Sequence, residues 1–186
     1  MRKSREATAQ SKARILSAAS KMVRERGVEN TGVAEVMQAA GMTNGGFYRH
    51  FQSKDEMIAS AIHAGFDEIA ERFDRRLQQN GSAAALESYV EEYLSERHIQ
   101  HPGHGCPVAA VGTDAARRSD VFAKEFVEGA ERLINRLSEC YGGKAPSSTA
   151  RTKAIRRLAM LVGAVVIARA IGRTPLRKEI TAACVC

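Results

Sequence analysis

The sequence predicts an all-α protein, and three observations carry the prediction. Apolar residues recur three and four apart from one end to the other; nowhere do they alternate as in a strand; and Gly, Pro and Asn break the pattern at intervals that suit helix ends. At 186 residues the chain is long enough to bury a sizeable core. Its longest apolar run, Leu158 to Ala168, lies between Arg156, Arg157 and Arg169 and falls short of the roughly 18 residues of a membrane span. The charged start MRKSREATAQSK has no apolar segment behind it, which argues against a secretory signal, and four cysteines in such a chain are expected to stay reduced. A cytoplasmic protein without membrane contact is the expectation.

Each helix has its own signature. Ile15, Leu16, Ala19, Met22 and Val23 form one apolar stripe, closed by Gly27 after the basic turn at Arg24 and Arg26. Val33, Val36 and Met37 mark a short second helix, from Val33 to Ala39, that Gly41 stops. Thr43 is placed to cap a third with its hydroxyl, and Phe47 and Phe51, four apart, turn one face of it inward. Ser53-Lys54-Asp55-Glu56 reads as a capping box opening a long helix with Ile58, Ile62, Phe66, Ile69, Phe73 and Leu77 on one side, ended by Asn80-Gly81.

Beyond it, Leu86, Tyr89, Val90, Tyr93 and Leu94 mark a helix broken by the loop HPGHG. Pro107 suits the first position of the next, which runs to about Ala116. Ser119 is expected to cap a helix bearing Val121, Phe122, Phe126, Ala130, Leu133, Ile134 and Leu137, ending at Gly142-Gly143. Residues 150 to 171 form the most apolar helix, and Thr174-Pro175 starts a short terminal one.

Two short helices joined by Gly41-Met42-Thr43, following an amphipathic helix, have the layout of a helix-turn-helix. In that motif the second helix enters the major groove and its first residues approach the bases. The stretch TNGGFYRHF fits this. With Phe47 and Phe51 inside, Asn44 and Tyr48 lie on the outer face beside Gly45 and Arg49, and the paired glycines allow close approach to a duplex. Tyr48, Arg49, His50 and Lys54 supply phosphate donors. Net charge agrees: the chain carries +7, and residues 1 to 62 hold ten Lys and Arg against six Asp and Glu.

The run from Thr31 to Glu56, TGVAEVMQAAGMTNGGFYRHFQSKDE, resembles the DNA-binding signature of the TetR family of bacterial transcriptional repressors. The resemblance implies a three-helix DNA-binding lobe, taken as residues 1 to 68, and a larger helical lobe, 69 to 186, with an effector pocket and a dimerisation surface on the last two long helices. By position it makes Thr31 and Thr43 phosphate contacts at helix starts, with Tyr48, His50 and Lys54 as further backbone contacts. Asn44, Gly45, Gly46 and Arg49 match the groove-facing positions. Many members carry a hydroxyl or methyl side chain where this sequence has Gly46, so base readout is expected to rest on Asn44 and Arg49.

The apolar surface on the last two long helices exceeds what one chain would cover. A two-fold homodimer on a palindromic double-stranded operator is therefore expected, with Leu133, Ile134, Leu137, Leu158, Leu161, Val162 and Val165 facing the partner copy. Phe66, Phe73, Tyr89, Tyr93, Cys106, Val108 and Phe126 are candidate lining for the pocket of a small-molecule effector. No cofactor, metal or catalytic group is expected.

The segment RHIQHPGHGC nevertheless holds His98, His101, His104 and Cys106 within nine residues. Cys106 at a helix start beside His104 would have a lowered pKa and react with oxidants or electrophiles. The C-terminal Cys184 and Cys186 carry no such argument. A repressor released by an effector and, as the alternative, a helical thiol- or metal-dependent sensor or enzyme centred on Cys106 both remain open at this level.

Overall fold

The computed structural model describes residues 2–117 and 119–185; Cys186 and the side chains of residues 2–4 lie outside the description. The helices are α1 (Arg2–Arg26), α2 (Val33–Ala39), a 3-10 helix (Asn44–Arg49), α3 (Lys54–Tyr93), α4 (Glu96–Gln100), a 3-10 turn (Pro102–His104), α5 (Pro107–Ala115), α6 (Asp120–Gly142), α7 (Ser148–Ile171) and α8 (Pro175–Ala183). No strand occurs among the described residues.

Most residues of the apolar stripes expected from spacing are buried or half-buried, Val121 at the start of α6 being an exception. Ile15, Ala19, Met22 and Val23 of α1 meet Val36 and Met37 of α2, Phe47 and Phe51, and Met57, Ile58, Ile62 and Phe66 of α3. At the end of α2, Gly41 takes φ 70°, which lets its own N–H bond the Gln38 carbonyl and the Met42 N–H bond that of Met37, both at 2.9 Å. This pairing closes the helix end and sets the entry of the next segment. Ser53 accepts from the Glu56 N–H at 3.1 Å, and the Glu56 carboxylate accepts from the N–H of Gln52, one residue before the cap, at 2.6 Å.

A second apolar cluster begins further along α3 with Ile69 and Phe73 and gathers Tyr89, Tyr93, Cys106, Leu133, Leu137, Leu158, Leu161 and Val165. Between its two arms α3 bends at Gly81, where φ 75° and ψ 173° leave the helical region. Residues 82–93 return over Phe73, with Tyr89 edge-on to that ring at 5.1 Å. Val111 of α5 and Phe122 of α6 cross back into the first cluster, so α3, α5 and α6 tie the two together.

Three expectations need correction. Thr43 and Ser119 occupy cap positions, yet neither side chain makes the cap hydrogen bond; the extended backbone alone starts those helices. Ahead of the expected loop, Glu96 to Gln100 form a separate short helix, α4, because Ser95 caps it through the His98 N–H at 3.2 Å and Ile99 finds a buried site. Most consequential are the residues assigned to a partner copy. Leu133, Leu137, Leu158, Leu161 and Val165 are buried within one chain, where α6 and α7 pack on each other, while Ile134 and Val162 are half-buried. The apolar side chains that α6 and α7 leave outside are Val121, Val127, Ile155, Val166 and Ile167.

Packing between α6 and α3 is tight enough to decide a substitution. A Cβ at Gly129 would overlap the ring of Phe66, itself buried and edge-on to Phe126. Gly129→Ala gains helix propensity of about 1 kcal/mol but forces a buried ring aside, at about 1–3 kcal/mol. Its denaturation midpoint in urea should therefore fall below that of the wild type.

Candidate functional site

The segment after the α2 turn is a 3-10 helix, with three residues per turn, and this changes which residues share a face. Gly45 and Tyr48 fall in one row. A Cβ at Gly45 would meet nothing within 4 Å, and Tyr48 is 80% exposed, so this row points away from the protein. Phe47 is buried and packs 5.7 Å from Phe51, which anchors the segment from beneath. Thr43, Asn44 and Arg49 are exposed beside the outward row, and His50 is half-buried. Lys54, at the start of α3, places its Nζ 3.4 Å from the Glu29 carbonyl at the edge of the same surface.

Two of the expected contacts do not point outward. Thr31 has no exposed surface, and its hydroxyl donates to the Gly27 carbonyl at 2.8 Å, so its side chain serves the α1–α2 turn. Gly46 faces the lobe: a Cβ there would lie 3.6 Å from Met37 Cε. The close approach inferred for the glycine pair belongs to Gly45 alone.

A cleft in the other half lies between α3 and the loop ahead of α5. Its walls are Ile69, Arg72 and Arg76 on one arm of α3, Tyr89, Glu92 and Tyr93 on the other, and His98 and His104 to Cys106 opposite. The space between them is about 310 Å³ including the mouth, of which about 30 Å³ is a cavity proper. Arg76 is ion-paired with Glu92, and Arg72 reaches Glu92 at 3.4 Å and the His104 carbonyl at 3.0 Å.

His98 is buried, and both ring nitrogens are engaged. Nδ1 lies 2.5 Å from the Tyr93 carbonyl, which can only accept, so Nδ1 carries the proton; Nε2 accepts from the Cys106 N–H at 3.0 Å. Burial lowers its pKa to about 4, leaving the ring neutral. No group of three metal-ligating side chains converges among the described residues. Cys106 runs against the sequence expectation. Burial pushes its thiol pKa up, outweighing the Tyr93 hydroxyl and the N–H groups of Val108 and Ala109, which pull it down. The neighbouring imidazole is neutral and therefore adds no positive charge.

The model of "Bacterial regulatory proteins, tetR family" matches residues 15–61, which run from the buried stripe of α1 through the reading segment into α3. Over that segment the chain is similar to the TetR family. Similar proteins include the uncharacterized HTH-type regulator YfiR of Bacillus subtilis, 32% identical over 43% of this chain and 39% of its own length. An uncharacterized HTH-type regulator of Mycobacterium tuberculosis is 23% identical over 84% and 82%. The HTH-type repressor KstR2 of Mycolicibacterium smegmatis is 28% identical over 61% and 54%. The fold matches that of Escherichia coli NemR in its reduced form, with a TM-score of 0.76 at 19% identity over 93% and 95% of the two chains. A TetR-family regulator from Agrobacterium tumefaciens has a TM-score of 0.78 at 18% identity over 94% and 95%.

Of the pocket residues expected from the sequence, Tyr89, Tyr93 and Cys106 line the cleft. Phe66 is core in the first cluster and Phe126 packs against it; Phe73 is fully buried beneath Tyr89; Val108 is half-buried between clusters. Ile69, Arg72, Arg76, Glu92 and His98 were missed as lining. Arg72 and Arg76, four apart beside a buried stripe, look like a solvated helix face until the second arm of α3 folds over them.

The cleft is tied to the first apolar cluster through α1. Arg24 of α1 is buried and donates to the Ser20 carbonyl at 3.1 Å, the Gly105 carbonyl at 2.8 Å and Glu68 at 2.8 Å. From the other side, Arg169 of α7 donates to the carbonyls of His98, Ile99 and Ala109 at 2.9, 3.2 and 3.1 Å.

Two outcomes follow. The unfolded chain protonates His98 near pH 6.5 and the folded chain near pH 4, so between these values the unfolded state binds more protons. Stability should hold above pH 6.5 and fall by up to about 3 kcal/mol towards pH 4, a slope that urea titrations should find reduced in His98→Gln. Gly45→Ala, in open space on a helical segment, should stabilise the fold by about 0.4–1 kcal/mol while weakening binding to duplex DNA. Thermal denaturation and a gel shift read the two effects separately.

Proposed function

We propose that this chain is a transcriptional repressor that holds a palindromic operator as a two-fold dimer and is released by a small-molecule effector. The observation that carries the reading is the outward row of Gly45 and Tyr48, flanked by Asn44 and Arg49, on a segment pinned by Phe47 and Phe51. It supports groove contacts by Asn44, Gly45 and Arg49 and phosphate contacts by Thr43, Tyr48, His50 and Lys54. The two apolar clusters part within α3 between Phe66 and Ile69, which supports a DNA-binding lobe of residues 1–68 and an effector and dimer lobe of 69–186. No helix among the described residues is long and apolar enough to cross a membrane. A regulator working in the cytoplasm, with no catalytic role, is part of the proposal.

The dimer surface is re-assigned. On α7, Ile155, Gly163, Val166 and Ile167 share one exposed or half-exposed face, and a Cβ at Gly163 would meet nothing within 4 Å. A second α7 could approach there closely. Release runs through α3, shared by both clusters, and through the Arg24 link from the cleft wall to α1. A ligand that binds better with the cleft open shifts the spacing of the two reading segments, and operator DNA must weaken that ligand's affinity by the same factor.

Val166→Glu places a charge where the single chain leaves the side chain exposed, so folding should be unaffected. Sedimentation should show monomers, and operator affinity should fall about 100-fold with the loss of bivalent binding. A wild-type monomer at micromolar concentration would refute the dimer. A wild type that shifts neither its own upstream DNA nor random duplex at low salt would refute DNA binding.

A further inference from the structure

Unsatisfied groups in the cleft say what would satisfy them. Tyr89 and Tyr93 are each 4% exposed; the Tyr89 hydroxyl has no hydrogen-bond partner among the described residues, and the Tyr93 hydroxyl has only the Cys106 sulfur beside it, a weak acceptor outside good hydrogen-bond geometry. A buried hydroxyl without a good acceptor is costly, and a native site that keeps one unpaired beside another that has only a thiol calls for something that supplies acceptors. Burial raises both phenols well above their ordinary range, so both are neutral donors at physiological pH.

Charge narrows the choice. Arg72 and Arg76 share Glu92, and Glu68, the other carboxylate near Arg72, is bonded to Arg24. Three guanidiniums thus face two carboxylates, and one positive charge is left uncompensated at the cleft. A cationic ligand would be repelled by that excess, despite the aromatic walls. A neutral ligand would leave it as it is. An anion with acceptor oxygens meets both needs.

Resting on the effector reading above, we propose that the cleft binds a small carboxylate, its oxygens accepting from the Tyr89 and Tyr93 hydroxyls and its charge set against Arg72 and Arg76. Ile69 and the tyrosine rings give the apolar body of the ligand its contacts. With about 30 Å³ of room, the cleft in this conformation holds roughly two waters. A carboxylate with more than a few carbons enters only when the wall from His104 to Cys106 moves outward. That wall includes the Gly105 carbonyl held by Arg24, so occupancy and the position of α1 are coupled. Binding to the open form alone is the differential affinity that release requires.

The test is calorimetry on the intact protein without DNA, using acetate, butyrate and benzoate beside benzamide and benzylamine. Benzoate should bind at least tenfold more tightly than benzamide, and benzylamine should not bind. Tyr89→Phe removes an unpaired hydroxyl and Tyr93→Phe one that has only the Cys106 sulfur beside it, so both variants should stay folded by thermal denaturation while binding benzoate about tenfold more weakly. The proposal is overturned if benzamide matches benzoate, if the Phe variants bind as wild type does, or if no carboxylate binds with a Kd below about 1 mM. Adding benzoate to the operator complex separates the two claims. Tyrosine-dependent binding without release supports the site and refutes the effector reading, whereas release by benzylamine with no carboxylate binding refutes the site and keeps that reading.

Discussion

Arg24 lies in the last turn of α1 with its side chain almost wholly out of water, and its donor groups go to Ser20, Gly105 and Glu68. A buried guanidinium is tolerated only when its N–H groups are used, so the cation fixes its acceptors as firmly as they fix it. Two of those acceptors belong to other parts of the fold. Glu68 is on α3, just past the boundary of the two apolar clusters, and the Gly105 carbonyl borders the cleft. The helices approach closely around this point: a Cβ at Gly65 would lie 2.8 Å from Ser20 Oγ, and one at Gly103 would lie 2.5 Å from Glu25. The end of α1, the middle of α3 and the cleft wall therefore move together.

The reading segment works under the opposite constraint. A six-residue helix with two glycines gains little from its own hydrogen bonds, and its order comes from Phe47 and Phe51 beneath it, with Lys12 lying 5.1 Å over the Phe51 ring. Those two rings hold its inner side to the core of α1, α2 and α3, leaving the outer side thin where Gly45 stands. Thr31 and Gly46, which sequence position would place on that outer side, are instead spent on the lobe itself. One secures the α1–α2 turn, and the other leaves room beside Met37.

Much of this was legible in the chain. Period 3.6 marked the buried faces of α1, α2 and α3, while Gly41, Ser53, Pro107 and Thr174 stood where helices stop or start. Phases within short segments were not. A 3-10 turn advances by 120° rather than 100°, so Tyr48 aligns with Gly45 instead of Asn44, and nothing in TNGGFYRHF distinguishes the two geometries. On α7, apolar residues occur on every side, and periodicity alone cannot tell the side facing α6, with Leu158 and Val165, from the side left outside, with Val166 and Ile167. The cleft was the least legible part. Its walls come from two arms of one helix joined by a bend at Gly81, so Arg72 and Glu92 meet only after a turn whose angle the sequence does not state.

Cys106 shows why neighbours in sequence mislead about reactivity. A helix start and a nearby histidine would favour a thiolate in water, but His98, not His104, takes the Cys106 N–H, and it does so as a neutral ring inside the core. Desolvation then dominates and the thiol keeps its proton. The same low dielectric makes the poorly satisfied phenols beside it expensive and strengthens any anion they would bind. A closed cleft with little room, poorly satisfied donors and excess positive charge is a state held against its own electrostatics. What holds it closed is the pair of clamps from Arg24 and Arg169 on either side of the loop, and a ligand that satisfies the donors must work against those clamps, one of which is anchored in the helix that supports the reading segment.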